Sequence, residues 1–478
     1  MNRSIGPDEF QQTVKYDWIS RMNKLSIFNP ATGTLIVEVP VDDAASVSDK
    51  AAQARAAQPR WASTPLAERK ACIARFRGLL AERIDSLAHT LSSEVGKPIK
   101  QSRNEINGLL GRIDFFLAQV DSATGPETVM SDAGMTERIG HEPLGVIGNI
   151  SAWNYPYFVG GNVFVPALLT GNAVLYKPSE FATLTGWHIA RLLHEAGVPK
   201  DVFIPLIGSG EVGAALLDQK LDGVFFTGSY ATGAKIASVV GPRMIRLQLE
   251  LGGKDPTYVR ADADVKNAAE SLADGAMYNT GQSCCSVERI YVHESIYPAF
   301  VTAFVETVQG FKMGDPMNES TYIGAITRAP QLDVLEQQVA DALGKGARLL
   351  IGGQRIHQPG NWFEPTVLAD VNHEMDVMRE ESFGPVIGIQ SVAGDDEAVA
   401  LMNDTRYGLT AGVYTRDAAK AEALLANVNA GSVYWNCCDR VSPRLPWSGR
   451  GDSGIGLTLS TYGIQAFTKP KAWHLRQP

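Results

Sequence analysis

Residues 278–289 read Tyr-Asn-Thr-Gly-Gln-Ser-Cys-Cys-Ser-Val-Glu-Arg and place two adjacent thiols, Cys284 and Cys285, directly after a Gly-Gln turn signal. The chain has only 5 cysteines among its 478 residues, so two thiols in one turn need an explanation. A free cysteine is most often a small, buried hydrophobic side chain. The thiol pair alone therefore predicts a packed loop, and other motifs decide whether it carries chemistry.

Three further motifs supply groups that a reactive thiol needs. They are Leu-Glu-Leu-Gly-Gly-Lys at 249–254, Trp-Asn-Tyr-Pro at 153–156 and Glu-Ser-Phe-Gly-Pro at 381–385. The first offers Glu250 as a general base, the second offers Asn154 as an oxyanion donor, and the third offers a cofactor clamp. With Gly-Gln-Ser-Cys at 281–284, these motifs make the chain resemble the aldehyde dehydrogenase superfamily. The resemblance covers nearly the whole chain, with the motifs in the family's order.

Length and composition describe an ordinary globular protein, with 45% hydrophobic and 20% charged residues. A chain of 478 residues exceeds what one hydrophobic core supports, so two or more domains are predicted. The net charge of −9 argues against binding to phosphate backbones, and no nucleic-acid partner is expected.

The cysteines show neither Cys-x-x-Cys nor Cys/His spacing, so no metal site is predicted. Neighbouring thiols such as Cys437 and Cys438 do not form a disulfide framework, which favours a reducing compartment. The first ten residues lack the apolar core of a secretory signal. Proline and glycine interrupt the most apolar stretch, 155–176, too often for a membrane span. A cytoplasmic protein without a membrane partner is expected.

Residues 42–120 have helical periodicity, and Thr64 before Pro65 predicts the start of one helix. From residue 143 short β-branched runs alternate with helices, and the alternation repeats after residue 252. This pattern predicts an α/β fold with parallel sheets. We expect a Rossmann-like dinucleotide-binding domain from 1–124 and 141–250, and a catalytic α/β domain from 251–440.

The segments 125–140 and 460–478 have no helical period, and their pattern indicates only extended chain. The resemblance implies that they form a small β oligomerisation element. A homodimer or homotetramer is expected, because subunit pairing removes the liability of an exposed strand edge.

Two glycine-rich turns follow predicted strands. Gly208, Gly210 and Gly213 spell Gly-x-Gly-x-x-Gly, which is a weak signal by itself. Phe-Thr-Gly-Ser at 226–229 is stronger, because backbone N–H groups and the positive end of a helix dipole there can hold a phosphate. The sequence therefore predicts a phosphate-binding turn in the first domain.

The resemblance implies a set of contacts to NAD, with NADP as a second candidate cofactor. Besides the three glycines, the residues are Ile150, Trp153, Lys177, Glu180, Phe226, Gly228, Ser229, Leu251, Glu381 and Phe383. Lys177 and Glu180 would bond the adenosine ribose; without the 226–229 motif they would be interpreted as a surface ion pair. Glu381 and Phe383 would clamp the nicotinamide ribose and ring.

The resemblance also implies the reaction, in which an aldehyde is oxidised to a carboxylic acid through a cysteine thiohemiacetal and a thioester. Cys284 would be the nucleophile, Asn154 with the Cys284 N–H would stabilise the oxyanion, and Glu250 would activate water. From the residues alone, Glu250 is equally a charged strand end paired with Lys254, and Asn154 a turn residue.

Six residues are expected to line the aldehyde channel: Tyr155, Tyr278, Ser283, Cys285, Asp439 and Trp447. Aromatic walls suit an apolar or aromatic aldehyde, which ranks first. An inward-facing Arg440 would favour a carboxylate-bearing semialdehyde, which ranks second. Trp447 could instead form part of a box for a quaternary ammonium group, so betaine aldehyde ranks third.

The chain departs from the family's usual pattern in three places. Ala152 replaces a proline, Ser448–Gly454 replaces a different glycine-rich sequence, and Thr458 stands where many relatives carry a glutamate. The last change leaves Glu250 as the one predicted relay acid. Two other functions stay open: an enzyme that passes the acyl group to coenzyme A, and a non-catalytic binding protein. The intact Cys284, Glu250 and Asn154 argue against the second.

Overall fold

A computed structural model of the protein describes residues 23–132, 134–438 and 440–477. Its first elements are β1 (Lys24–Phe28), β2 (Leu35–Pro40), α1 (Ala44–Ser63), α2 (Leu66–Glu82), α3 (Ile84–Val95), α4 (Ile99–Thr124), β3 (Glu127–Asp132) and β4 (Met135–Pro143). The prediction that Thr64 caps α2 is wrong. Because α1 continues to Ser63, the Thr64 amide and hydroxyl bond to the Arg60 carbonyl, and Pro65 takes the N-cap of α2.

The next strands form a parallel sheet with crossover helices. They are β5 (Val146–Ile150), α5 (Pro156–Leu169), β6 (Ala173–Lys177), α6 (Thr183–Glu195), β7 (Phe203–Pro205), α7 (Gly210–Leu217), β8 (Gly223–Thr227), α8 (Tyr230–Val240) and β9 (Arg246–Glu250). Their order across the sheet is β7-β6-β5-β8-β9, and all four pairings are parallel. The short β19 (Gly454–Ile455) adds antiparallel to β9.

This strand order reverses direction between β5 and β8. In open parallel sheets a ligand binds beyond the carboxyl ends of the strands, at the point where the order reverses. Ile150 ends β5, Lys177 ends β6, Thr227 ends β8 and Glu250 ends β9, so predicted site residues lie at this edge of the sheet.

A second α/β layer follows. Its elements are β10 (Asp255–Val259), α9 (Val265–Met277), β11 (Val287–His293), α10 (Tyr297–Gln309), α11 (Ala329–Gly344), β12 (Arg348–Ile351), β13 (Arg355–Ile356), β14 (Trp362–Phe363), β15 (Thr366–Ala369), α12 (Asp376–Arg379), β16 (Val386–Val392), α13 (Asp395–Asn403), β17 (Thr410–Tyr414), α14 (Ala418–Leu425) and β18 (Ser432–Trp435). Seven strands form one sheet in the order β12-β15-β16-β11-β10-β17-β18, antiparallel only at β12. The α/β fold predicted from the alternation of strands and helices is confirmed.

The chain ends with α15 (Ser460–Gln465) and β20 (Thr468–Arg476). β20 pairs antiparallel with β4, and β4 pairs with β3, so the segments predicted to be extended form one three-stranded sheet. Side chains on β3 and β20 are mostly exposed. This sheet stands apart from the two larger ones.

The largest hydrophobic core packs α1–α6 against the six-stranded sheet, and two smaller clusters cover the faces of the seven-stranded sheet. Ile73, Phe76 and Leu80 of α2 are fully buried, as the helical spacing of apolar residues predicts. In the described part of the chain, no helix combines the length and the apolar composition needed to cross a membrane.

Candidate active site

The thiol loop begins in a strained turn between α9 and β11. Asn279, Thr280 and Gly281 have φ angles of 55°, 58° and 70°, in the left-handed region that side chains disfavour. Gly281 is required for a second reason, because a Cβ there would stand 2.1 Å from the Gly384 carbonyl oxygen. The turn thus presses the chain against Gly384 just before Cys284.

Buried hydrogen bonds hold this turn from three directions. The Asn279 amide donates to Gln101 Oε1 at 2.9 Å, and Thr280 Oγ1 accepts from the Gly324 amide at 2.9 Å. The Asn279 side-chain amide donates to the Gln282 carbonyl at 3.0 Å. The loop that carries the thiols is therefore tied to α4 and to the segment before α11.

Cys284 faces the carboxylate predicted to be its base. Its Sγ donates to Glu250 Oε1 at 3.8 Å, and the Trp447 indole Nε1 donates to the same oxygen at 2.7 Å. Glu250 is only 5% exposed, whereas Cys284 is partly exposed. The structure brings together a thiol, a carboxylate and an indole from three separate parts of the chain.

The surroundings raise the pKa of both reacting groups. Burial raises the pKa of Glu250 to about 7, although the bonds from Trp447 and Cys284 and the charge of Arg112 act in the opposite direction. A hydrogen bond with Cys285 lowers the pKa of Cys284, but burial and the Glu250 charge outweigh it and bring the value to about 11. The resting pair therefore keeps its proton on sulfur.

Asn154 lies close to the thiol loop, buried in the turn between β5 and α5. Its Nδ2 donates to the Gln282 carbonyl at 3.1 Å, two residues before Cys284, which leaves the second N–H of the amide for another acceptor. The Lys97 ammonium donates to the Asn154 carbonyl at 2.7 Å and forms a fully buried ion pair with Glu105. Glu105 also accepts from the Tyr157 amide at 2.8 Å, so one buried pair fixes both sides of this turn.

A cavity of about 1330 Å³ opens beside the thiol. Five of the six residues predicted for the channel line it, together with Arg440: Tyr155, Tyr278, Ser283, Cys285 and Trp447. Asp439, the sixth, lies outside the described residues. Tyr155 stacks on Phe158 at 5.9 Å and receives the Lys97 ammonium over its ring at 3.8 Å.

The cavity follows one face of α4. Its lining residues on that helix run from Gln101 through Gly108 and Gly111 to Gln119, a span of about 27 Å at the helical rise per residue. Nothing lies within 4 Å of where a Gly111 side chain would begin. Arg112 also lines the wall, where its guanidinium lies 3.8 Å over the Phe158 ring and donates to Asn162 Oδ1 at 2.9 Å.

The residues at the reversal of strand order fit a dinucleotide. Gly228 and Ser229 lead into α8, where Ser229 is the N-cap and makes no side-chain cap bond. The first amides of such a helix lack intrahelical partners and favour an anion. Lys177, buried at the end of β6, lies 3.4 Å from the half-buried Glu180 carboxylate, which suits two ribose hydroxyls.

The other predicted cofactor residues lie along the same edge. Gly208 has a φ of 149°. Gly210 and Gly213 lie at the start of α7, and no atom lies within 4 Å of where a Cβ on either residue would stand. Ile150 ends β5, Phe226 is buried in β8, and the Leu251 side chain packs against Gly233 of α8.

The motif 381–385, predicted to form the cofactor clamp, lies against Trp153 and Gly253. Phe383 has a φ of 47° and meets the Trp153 ring edge-on at 5.6 Å. Glu381 Oε1 accepts from the Gly253 amide at 3.1 Å. A Cβ on Gly252 would stand 2.4 Å from the Glu381 carboxylate, so a larger residue there would displace this carboxylate.

Lys254 does not pair with Glu250, which corrects that alternative. Its ammonium donates to Glu288 Oε2 at 2.6 Å, and the two Glu288 oxygens accept from the amides of Ser382 and Phe383 at 2.8 and 3.0 Å. Glu250 ends a strand of the first sheet, whereas Lys254 precedes a strand of the second. The two side chains therefore belong to different layers of the fold.

Sequence reasoning missed several residues that build the site: Lys97, Glu105, Arg112, Asn162 and Glu288. Lys97 lies in the short Val-Gly-Lys-Pro break between two helices, which was a signal, and Glu288 lies three residues after Cys285. Arg112 and Asn162 lie within helices and give no local signal. Among the described residues, no group of three or more His, Cys, Asp and Glu side chains is placed to hold a metal.

Comparisons with known proteins identify the family of the chain. A family model described as the aldehyde dehydrogenase family matches residues 18–473. The NADP(+) succinate-semialdehyde dehydrogenase of Deinococcus radiodurans is 34% identical over 93% of this chain and 93% of its own length. The chloroplastic betaine aldehyde dehydrogenase of Amaranthus hypochondriacus is 33% identical over 94% and 92%. A solved NAD-dependent aldehyde dehydrogenase from Sinorhizobium meliloti superposes with a TM-score of 0.92 at 34% identity, covering 95% of this chain and 91% of that one.

The Lys97–Glu105 pair gives a stability prediction. Lys97→Met leaves the Glu105 carboxylate buried beside the Tyr157 amide without its cation, and should lower the free energy of unfolding by about 3 kcal/mol. The matched control is Lys24→Met, which breaks an exposed pair with Glu38 and should cost under about 1 kcal/mol. Urea unfolding followed by circular dichroism measures both, and equal losses would contradict the prediction.

Proposed function

The chain belongs to the aldehyde dehydrogenase family and oxidises an aldehyde to a carboxylic acid with a nicotinamide dinucleotide, and we propose that Cys284 is its nucleophile and Glu250 its base. The observation that carries this proposal is the 3.8 Å contact between the Cys284 sulfur and Glu250 Oε1 in the wall of the large cavity. A thiol next to a carboxylate with a pKa of about 7 is suited to proton transfer near neutral pH.

The first step forms a carbon–sulfur bond. Because the Cys284 pKa of about 11 lies above the Glu250 pKa of about 7, no thiolate is formed in advance, and the sulfur loses its proton to Glu250 as it attacks. The aldehyde oxygen becomes an oxyanion. The second N–H of the Asn154 amide and the Cys284 backbone N–H are the groups proposed to stabilise that charge.

The bound dinucleotide supplies the hydride acceptor that converts the Cys284 adduct into a thioester. Glu250 then passes its first proton to water in the cavity and takes a proton from a second water. The oxygen of that water attacks the thioester carbonyl and the carbon–sulfur bond breaks. Glu250 returns its proton to the Cys284 sulfur, so the carboxylic acid leaves and the thiol is restored.

The cavity wall supports the apolar or aromatic aldehyde as first-ranked substrate. Tyr155, Phe158, Phe115 and Trp447 line the cavity, and Gly111 leaves room along α4. Aromatic walls contribute large contact area to an apolar chain or ring. The volume of about 1330 Å³ is more than a small aldehyde needs, which favours a long substrate.

A second candidate class is the carboxylate-bearing semialdehyde. Arg440 and Arg444 line the cavity as exposed side chains, and Arg112 lines it as a buried one. Guanidinium groups bind carboxylates in a two-pronged geometry. The relative from Deinococcus radiodurans is named for such a substrate.

Steady-state assays test the proposal. With NAD, hexanal and benzaldehyde should give NADH at higher kcat/KM than succinate semialdehyde or betaine aldehyde, and coenzyme A should not be consumed. An advantage above about tenfold for either charged aldehyde would overturn the ranking. A requirement for coenzyme A would show acyl transfer in place of hydrolysis.

Two thiol variants complete that assay. Cys284→Ala should lose more than about 10³-fold in kcat because no adduct can form, while binding of NAD, followed by calorimetry, persists. Cys285→Ala is the matched control, since it removes the neighbouring thiol, and it should keep most of the activity. Strong NADH formation by Cys284→Ala would exclude this thiol as the nucleophile.

We further propose a preference for NAD over NADP. Glu180 would accept a hydrogen bond from a free 2′-hydroxyl and repel a 2′-phosphate. Glu180→Gln should therefore raise kcat/KM for NADP relative to NAD, whereas Glu270→Gln, which removes an exposed charge from α9, should leave the ratio unchanged. An unaltered ratio in Glu180→Gln would show that this carboxylate does not discriminate.

The three-stranded sheet of β3, β4 and β20 supports a homodimer or homotetramer, because the outer edges of β3 and β20 have no partner strand among the described residues. Light scattering at micromolar concentration should report two or four chains. Val129 and Leu475 are exposed apolar residues on the outer strands. Val129→Asp or Leu475→Asp should lower the measured particle mass if the sheet joins subunits. Leu343→Asp on α11 is the control, and a monomeric wild type would contradict the proposal.

A further inference from the structure

Trp447 does more than line the cavity. Its side chain is only 6% exposed, and its indole N–H points at Glu250 Oε1 from 2.7 Å. That oxygen is also the one that faces the Cys284 sulfur at 3.8 Å. One carboxylate oxygen therefore receives an indole donor and the reacting thiol together.

Backbone pairing fixes the indole relative to the carboxylate. Trp447 and Thr458 exchange two backbone hydrogen bonds, at 2.8 and 2.9 Å. Within the same segment, Gly454 pairs directly with Glu250 across β19 and β9, and the Leu251 amide donates to the Ser453 carbonyl at 3.1 Å. The segment 447–458 is thus bonded on both sides of the strand end that carries Glu250, independently of any substrate.

We propose that Trp447 is a positioning residue that holds the Glu250 carboxylate against the Cys284 thiol and keeps it ionised for proton transfer. This inference rests on the proposed function, because it assigns Trp447 a role through the proposed base. A phenylalanine would fill the same wall of the cavity but has no donor. The indole N–H replaces part of the hydration that burial takes from the carboxylate.

The other groups around Glu250 act on it in other ways, so the role of fixed hydrogen-bond donor is assigned to Trp447. Arg112, on α4, acts on Glu250 through its charge, and Cys284 is the proton donor of the reaction. Thr458 and Gln248, which line the cavity as well, are neutral. Arg440 and Arg444 lie at exposed positions of the cavity, where water screens their charge.

The direction in which the pKa of Glu250 should change follows from the indole N–H of Trp447. The indole N–H stabilises the ionised carboxylate, so its loss should raise the pKa of Glu250. The base is active when ionised, and the acidic limb of the kcat profile should therefore move to higher pH. A hydrogen bond to a charged group is strong enough to move the limb by about one pH unit. At pH values below the limb, kcat of the variant without the indole donor should be about tenfold lower than that of the wild type. At higher pH the two kcat values should converge.

The test measures kcat and KM from pH 5 to 10 with NAD and hexanal for wild type, Trp447→Phe and Tyr278→Phe. Trp447→Phe should move the acidic limb by about one unit. Tyr278→Phe changes another aromatic wall of the same cavity and should alter KM without moving the limb. A Trp447→Phe limb that coincides with the wild-type limb, with only KM raised, would overturn the inference and leave Trp447 as a wall residue.

Glu250→Gln separates this inference from the proposal beneath it. The limb should vanish in Glu250→Gln, and adding Trp447→Phe should cause no further loss of kcat, because the two act as a unit. A limb that survives in Glu250→Gln would refute Glu250 as the base, and with it the proposed function. A limb lost in Glu250→Gln but unmoved in Trp447→Phe would refute the Trp447 role alone. Far-UV circular dichroism and NAD binding verify that each variant is folded.

Discussion

A carboxylate removed from water and placed against a thiol is the constraint on which the rest of the site depends. Burial disfavours charge, so a buried carboxylate stays useful as a base only if fixed donors replace its hydration. At Glu250 those donors are the Trp447 indole and the thiol itself. A stronger set of donors would hold the pKa low and weaken the base, and a weaker set would leave it protonated at neutral pH.

That contact needs two parts of the fold to meet. Glu250 ends the last parallel strand of the first sheet, whereas Cys284 lies in the connection between α9 and β11 of the second. Neither layer contains both groups. Lys97 and Glu105, from the helical segment, add a third attachment, since Lys97 donates to the Asn154 carbonyl and Glu105 accepts from the Tyr157 amide. Chemistry at the thiol is therefore a property of how the layers pack.

The sequence predicts the parts of this arrangement that are local. Lys177, Gly228 and Glu250 could be placed at one edge because each ends or follows a predicted strand, and the ends of parallel strands share one edge. Their roles are implied by the family resemblance. The contact partners of the site residues could not be placed from the sequence in this way. Trp447 lies 197 residues from Glu250, and Lys97 lies 57 residues from Asn154, and no periodicity relates such positions. Only packing brings them together.

The alternative interpretation of Glu250, as the ion-pair partner of Lys254, shows why short spacing can mislead. Residues four apart are neighbours on a helix, but in extended chain they lie about 13 Å apart. Here the chain leaves one sheet at Glu250 and enters the other at Asp255, so Lys254 turns to Glu288 and supports the clamp at Ser382 and Phe383. A rule that infers contacts from residue spacing is valid only for the type of secondary structure that it assumes.

The Gly-Gln signal predicts a turn before the thiols, but it does not predict the left-handed conformations of Asn279 and Thr280. Asn279 and Thr280 hold left-handed conformations that cost about 1–3 kcal/mol each, and Thr280, being β-branched, is among the residues least suited to them. Buried hydrogen bonds to Gln101 and from Gly324 offset part of this strain and hold the turn in place. A relaxed turn would carry Cys284 along a different path from β11. The left-handed turn thus lies directly before the loop in which the Cys284 sulfur faces Glu250 Oε1 at 3.8 Å.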